Sequence, residues 1–268
     1  MKKIEIILVL YGKSLDESKT FVSWNRYKNF LKAEYNFLIY NNDSSIKIPQ
    51  STDYEVINSE TNDKLQIPYS FALKKAVETG CKWLLLLDDD TELTEDFFTE
   101  LSQKLDTDND AIVPMCFAGS RQISPFIDLA KIGNYFLSKK AKPSVTTDCV
   151  AAFNTCAMFS VDILQKVGGF SPEFEFDFLD IHTFYKLYKN GAKIEILNTK
   201  IQHNLSILDY STLSIERYKS MLSAEKRFAK FVGKKAEFVL SIWLTLRFFK
   251  QLIVPYKRKF AKITLKNL

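Results

Sequence analysis

Three consecutive carboxylates, Asp88-Asp89-Asp90, close the apolar run Trp83-Leu84-Leu85-Leu86-Leu87. That run is long enough for a central strand and too short for a separate helix. Three like charges at the edge of a buried strand repel one another, and a cation would relieve the repulsion. Mg²⁺ or Mn²⁺ prefers carboxylate oxygens with room left for phosphate and water, and Asp88 and Asp90, two apart at a strand end, can supply that arrangement. The simpler reading is that three aspartates end a strand and solvate a turn. A second acidic segment, Glu173-Phe174-Glu175-Phe176-Asp177-Phe178-Leu179-Asp180-Ile181-His182, offers a carboxylate able to take a proton from a hydroxyl, or else a plain amphipathic helix entry with Asp180 as its N-cap. His203 is one of two histidines and follows the strand-like Lys200-Ile201-Gln202; as a metal ligand it depends on the acidic triplet being the other half of the site. His182 alone reads as a packed or surface histidine.

The elements that would position these groups follow from periodicity. Ile4 to Leu10, bounded by Tyr11-Gly12, is a β-branched and leucine-rich run suited to a parallel strand buried on both faces. The start Met1-Lys2-Lys3 imitates a signal peptide, but Glu5 interrupts the apolar run and no small-residue cleavage site follows, so the segment reads as a strand. Phe21, Trp24, Tyr27, Phe30 and Leu31 share one face of a helix expected from about Leu15 to Leu31. Tyr35 to Tyr40 is a second strand ending in the polar Asn41-Asn42-Asp43-Ser44-Ser45 turn, Tyr54 to Ile57 a third, and Tyr69 to Thr79 a helix stopped by Gly80. Thr94 reads as an N-cap with Glu95 and Asp96 in the first turn. After Ala111 the pattern loosens into a short strand at Ile112-Val113, a loop rich in lysine (Lys139, Lys140, Lys142) and an apolar stretch from Val150 to Val161. Val161 to Val167 and Ile181 to Tyr188 are short helices closed by Gly168-Gly169 and Asn190-Gly191, and Lys193 to Leu197 is a strand. Strand and helix in alternation imply an α/β fold, a mostly parallel sheet flanked by helices with ligands at the carboxyl ends of its strands.

With 268 residues, 46% hydrophobic and 14% aromatic, the chain can fill one large core, and no Pro/Gly/Ser-rich linker divides it. Its four cysteines form no C-x-x-C pair, which argues against zinc and a disulfide scaffold and for buried thiols in a reducing, cytoplasmic setting. The formal charge of +5 is uneven: after Glu237 there is no acid, while Arg247, Lys250, Lys257, Arg258, Lys259, Lys262 and Lys266 are basic. Phe238 to Leu246 is far short of the ~20 apolar residues of a spanning helix. With Trp243, Phe248, Phe249, Leu252 and Ile253, the tail 238–268 suits a helix in the interface of an anionic leaflet on the inner face of the membrane, or one whose apolar side packs on the catalytic domain or a partner subunit. Nucleic acid is disfavoured, because the basic residues are confined to the tail and no recognition motif accompanies them.

The ordered set Val9-Leu10-Tyr11-Gly12, Tyr40-Asn41-Asn42-Asp43-Ser44, Leu87-Asp88-Asp89-Asp90-Thr91, Val167-Gly168-Gly169-Phe170, Phe178-Leu179-Asp180-Ile181-His182, Lys189-Asn190-Gly191 and Ile201-Gln202-His203 resembles family 2 glycosyltransferases of the GT-A fold. The resemblance spans roughly residues 4 to 205. It implies an inverting, metal-dependent transfer of a sugar from a nucleoside diphosphate to a glycan or lipid-linked acceptor in bacterial surface polysaccharide synthesis. By resemblance, Asp90 and His203 hold Mn²⁺ or Mg²⁺ and Asp88 faces the ribose or diphosphate. Asn41 takes the place of the aspartate usually offered to the nucleobase, Tyr11 is a base-stacking candidate, and Asp43 of the same turn joins the donor contacts. Asp89 is grouped with them by position only, and Asp180 is the general base. The segment Phe176 to His182 looks like the rhamnosyltransferase branch, with an aspartate three residues before the base. That branch normally has an acid where His182 stands, and a positive residue appears here as Lys186, so both dTDP-rhamnose and a UDP-hexose are donors to consider. Gln66-Ile67-Pro68-Tyr69-Ser70 replaces the Gly- and Asn-rich segment common in the family, so donor contacts there do not carry over.

The expected organisation is a catalytic domain over 1–205, divided into a nucleotide-sugar half (1–110) and an acceptor half (111–205), followed by a helical basic extension over 206–268. Two rivals are a nucleotidyltransferase, disfavoured because no glycine-rich basic triphosphate loop follows the first strand, and a non-catalytic sugar-nucleotide-binding module, disfavoured by the intact acidic and histidine set.

Overall fold

The computed structural model describes residues 4–127, 138–203 and 213–268. Met1 to Lys3 and the expected boundary at 205/206 lie outside the described residues.

Four parallel strands, β1 (Ile4–Leu10), β2 (Tyr35–Asn41), β3 (Glu55–Asn58) and β4 (Trp83–Asp88), lie in the spatial order β3-β2-β1-β4. Register places Leu10 beside Asn41 and Val9 beside Asp88, so the ends of β1, β2 and β4 leave the sheet at one level. Tyr11, Asp43 and the acidic triplet therefore start from a common edge. The sheet continues through β11 (Met158–Ser160), antiparallel between β4 and β5 (Ala111–Ala118), then β12 (Ile194–Gln202), parallel to β5, and β9 (Ser144–Thr146), with β6 (Arg121–Ser124) folded back on β5. A small second sheet joins β10 (Val150–Ala151), β7 (Phe126–Ile127) and β8 (Lys139–Lys140).

The uninterrupted apolar strands are explained by burial of both faces. Ile7, Val9, Leu38, Leu84 and Leu86 point into one core, while Ile6, Leu8, Phe37, Ile39, Leu85 and Leu87 point into another. Helices α2 (Gln66–Glu78), α4 (Val161–Lys166) and α5 (Leu179–Lys189) supply Tyr69, Leu164 and Phe184 to the first; α1 (Lys19–Tyr27) and α3 (Glu95–Ser102) supply Trp24, Phe97 and Phe98 to the second. A third, smaller core of Tyr218, Leu222, Leu240, Leu244 and Phe260 joins α6 (Ile215–Val232), α7 (Lys234–Ile253) and α8 (Arg258–Leu265).

Several boundaries differ from the periodic reading. Helix α1 begins at Lys19 rather than near Leu15, because the Ser18 hydroxyl accepts from the Phe21 amide and the preceding residues turn through a Ser14–Glu17 contact. Helix α2 begins at Gln66, a turn earlier than expected, with Pro68 in its first turn, where a missing N–H costs nothing. The short strand at Ile112-Val113 is an eight-residue central strand, and β12 runs on through Gln202, which carries His203 to the sheet edge. Asp180 is not an N-cap: Phe178 occupies that position in the left-handed region (φ 63°), which puts Asp180 inside the first turn. All four cysteines are buried. Among the described residues no helix is long and apolar enough to cross a membrane.

Candidate active site

The acidic triplet is held by groups from α1 and α2. The buried Thr20 hydroxyl lies against the Asp88 and Thr91 carbonyls and accepts from the Thr91 amide at 3.0 Å, while the Ser18 hydroxyl donates to the Asp89 carbonyl at 3.0 Å. Each aspartate then has a different environment. Asp89 accepts from Lys13 Nζ (2.6 Å) and the Tyr11 amide (3.2 Å), so it ties the loop after β1 to the end of β4 and leaves the Tyr11 ring exposed. Asp88 accepts from Tyr69 Oη at 2.9 Å. Burial, reinforced by the charges of Asp90, Asp89 and Asp180, pushes its carboxyl up to about 7 against the opposing Tyr69 hydrogen bond. Among the described residues the buried Oδ1 of Asp90 has no hydrogen-bond partner; it lies 3.4 Å from His203 Nδ1.

His203 reaches this point because Gln202 bridges Glu92 and the His203 amide donates to the Phe117 carbonyl (2.9 Å). Its Nδ1 shares a 3.0 Å hydrogen bond with the Thr91 hydroxyl, which is 3.0 Å from that of Thr155. Burial lowers the imidazole's pKa, with Asp90 acting in the opposite sense, which favours the neutral ligand form. An orphaned carboxylate oxygen beside a neutral imidazole, within a cluster of repelling acids, fits a divalent cation. Among the described residues no three acidic, cysteine or histidine side chains form a ready-made cage. Such a partial donor set matches cations that complete their coordination with phosphate and water.

Asp180 belongs to the same electrostatic site, since its charge contributes to the raised pKa of Asp88 and Tyr69. Its Oδ1 accepts from the Ile181 amide at 2.8 Å. Burial, with a smaller contribution from Asp177, pushes its carboxyl up to about 6. The loop before it is fixed on two sides. The amides of Leu65 and Gln66 donate to the Glu175 carbonyl; on the other side Arg217 (2.7 Å) and Ser220 (2.7 Å) of α6 donate to Asp177, and Arg217 lies over the Phe176 ring at 4.4 Å. Lys186 donates to the Val167 (3.0 Å) and Gly169 carbonyls, pinning the glycine turn to α5. His182 points away from the acids into an aromatic cage, stacked on Phe174 with centroids 4.5 Å apart and edge-on to Phe231 at 4.6 Å.

In the β2 turn, Asn41 is fully buried: Nδ2 donates to the Asp43 and Ile46 carbonyls and to Asn58, and Oδ1 accepts from the Asp43 amide. It builds the turn. Asp43 is more open, with Oδ1 held by the Ser45 amide and hydroxyl and Oδ2 facing Gly12. Thus Tyr11, Asp43, Asp88, Asp90, Asp180 and His203 gather at one end of the sheet, with Asn41 and Asp89 as internal ties. Ser18, Thr20, Tyr69, Thr91 and Thr155 were not singled out from sequence, because isolated hydroxyls in amphipathic segments give no spacing signal. The left-handed residues Cys156 (φ 59°) and Phe178 lie beside these carboxylates, as strained backbone does at functional sites.

Residues 36–168 match the family model described as Glycosyl transferase family 2. Among solved structures, S. aureus TarS 1–349 is similar over 99% of this chain and 88% of that one, with 14% identity and a TM-score of 0.58. GalNAc-T7, solved with UDP, GalNAc and Mn²⁺, is similar over 99% of this chain and 54% of that one, with 12% identity and a TM-score of 0.62. This chain thus spans about half the length of GalNAc-T7, and at such identities the likeness is one of fold. No curated protein matches the chain. Residues 36–168 thus match glycosyl transferase family 2, and the α/β architecture around them is that of the GT-A fold.

Proposed function

We propose that this chain is an inverting glycosyltransferase that moves a sugar from a nucleoside diphosphate, dTDP-rhamnose or a UDP-hexose, to a glycan or lipid-linked acceptor in bacterial surface polysaccharide synthesis. The catalytic unit is 1–205, with 206–268 as a helical extension. One observation carries the reading: a carboxyl raised to about 6, Asp180, shares an electrostatic site with the Asp88, Asp90 and His203 group.

Asp90 and His203 would hold Mn²⁺ or Mg²⁺, which when bound supplies positive charge to the leaving diphosphate. Asp88 turns toward the ribose or diphosphate, and Tyr11 and Asp43 flank the nucleobase. A carboxylate with a pKa near 6 is ionised at neutral pH yet more basic than an ordinary aspartate, which suits Asp180 to accept the acceptor hydroxyl's proton as the oxygen attacks the anomeric carbon. Binding of a panel of UDP-, dTDP- and GDP-sugars, with Mn²⁺ and with chelator, identifies the donor. With that donor Asp180→Asn should abolish transfer while sparing donor binding; retained transfer removes Asp180 from the role.

A further inference from the structure

Helix α7 has two apolar faces, and among the described residues only one of them is covered. Ala236, Leu240, Leu244 and Gln251 are buried against α6 and α8. On the opposite side Phe238, Ile242, Leu246, Phe249 and Ile253 follow one another at spacings of four, four, three and four residues, which aligns them in a single stripe. All five are exposed, Phe238 at 67%, Phe249 at 56% and Ile253 at 76%. Trp243 and Phe248, which the sequence placed with the apolar side, are half-buried and lie off this stripe. A row of large apolar side chains this long is unusual on a surface that meets only water.

Charge identifies what covers it. Residues 234–268 contain nine basic side chains and one acid, Glu237, against a formal charge of +5 for the whole chain. Arg247 is bound within the fold by Glu225 (2.7 Å), but Lys234 and Lys235 stand at one end of the stripe, and Lys250 and Arg258 toward the other, all exposed. A second copy of the chain docked on this face would bring two strongly cationic segments together. An acidic lipid surface is complementary in both respects: acyl chains accept the aromatic and aliphatic stripe, and anionic headgroups accept the lysines.

We propose that the outer face of α7, through Phe238, Ile242, Leu246, Phe249 and Ile253, seats the protein in the interface of an anionic bilayer. This deepens the proposed reading by placing the enzyme at the plane where a lipid-linked acceptor would lie. The tie from Arg217 and Ser220 of α6 to Asp177 joins this helical bundle to the loop that carries Asp180.

The test measures partitioning of the full chain to vesicles, separately from any transfer, so it can fail while the glycosyltransferase reading stands. Sedimentation with vesicles of phosphatidylcholine alone and of phosphatidylcholine mixed with phosphatidylglycerol should show binding to the second and little to the first, weakening with salt. Phe238→Ser combined with Phe249→Ser should lower the partition coefficient at least ~10-fold with an unchanged melting temperature, since both side chains are exposed. Lys235→Gln combined with Lys250→Gln should weaken binding and flatten its salt dependence. Absence of binding to anionic vesicles, or binding indifferent to the two phenylalanine changes, overturns the proposal. So does a concentration-dependent dimer in sedimentation velocity that those changes abolish, which would assign the face to a second copy.

Discussion

Replacing His182 by leucine should separate a packing role from a chemical one through pH. The ring is 3% exposed, stacks on Phe174, meets Phe231 edge-on, and its Nδ1 has no hydrogen-bond partner among the described residues. Burial, with a smaller contribution from the Lys186 charge, lowers its pKa from 6.5 to about 4. A base whose folded pKa is depressed stays neutral in the native state while the unfolded chain takes up a proton, so stability is lost as pH falls from about 6.5 toward 4. Between pH 8 and pH 5 the gap amounts to roughly 1.5 pH units of unequal protonation, or about 2 kcal/mol at 1.36 kcal/mol per unit. Leucine has nearly the same volume. At pH 8 it forfeits a ring contact worth about 0.5–1.5 kcal/mol but removes the orphaned nitrogen, so the two proteins should differ by less than about 1 kcal/mol. At pH 5 His182→Leu should be the more stable by about 1–3 kcal/mol, a shift of roughly 2–12 °C in melting temperature. Asp88 and Asp180, raised to about 7 and about 6, act in the opposite sense across this window, but both proteins retain them and their effects cancel in the difference. Calorimetric melts of both proteins at pH 8, 6.5 and 5 provide the measurement. Parallel melting temperatures across that range would refute the buried neutral imidazole.

Asp90→Ala should weaken Mn²⁺-dependent donor binding by ~10-fold or more, measured by titration calorimetry; an affinity unaffected by the change, with and without chelator, would remove Asp90 from the cation site. Arg217→Ala removes the ion partner of the Asp177 carboxylate, which keeps only the Ser220 hydroxyl, and should destabilise the fold by about 1–3 kcal/mol in urea melts. Because the Asp177 charge already raises the Asp180 carboxyl, losing the neutralising arginine should also move the acidic limb of the rate profile to higher pH, and Arg217→Lys should restore much of both. An unmoved profile would show that Arg217 acts on stability alone.

The acidic triplet was legible because the leucine run stops abruptly at Asp88, and β4 does end there. Local chemistry also disclosed the Thr94 cap, whose hydroxyl accepts from Phe97, and the glycine turns at 168–169 and 191 with their positive φ. What stayed hidden depends on contacts between distant segments. Tyr69 looks like one more apolar position on an amphipathic helix until the fold brings its hydroxyl to Asp88, nineteen residues away. Thr20 clamps a turn some seventy residues distant through a single hydroxyl. Asn41 stood in a position aligned with a donor contact, yet its amide closes its own turn and leaves Asp43 as the open group. Met158 to Ser160 carries no period at all, because a three-residue strand inside an apolar stretch takes its identity only from its neighbours.

That short strand also governs the order in which the chain can be assembled during synthesis. Because β11 lies between β4 and β5, the apolar edge of β4 has no neighbour on that side until residue 160 has emerged from the ribosome. A nascent chain of which only the first ~110 residues have emerged would hold the residues of all four parallel strands and leave an open, leucine-lined border, the kind of surface that recruits other strands. The acidic triplet stands at the end of that same border, where Asp88–Asp90 would give the growing chain local charge of the kind that disfavours edge-to-edge pairing until β11 arrives.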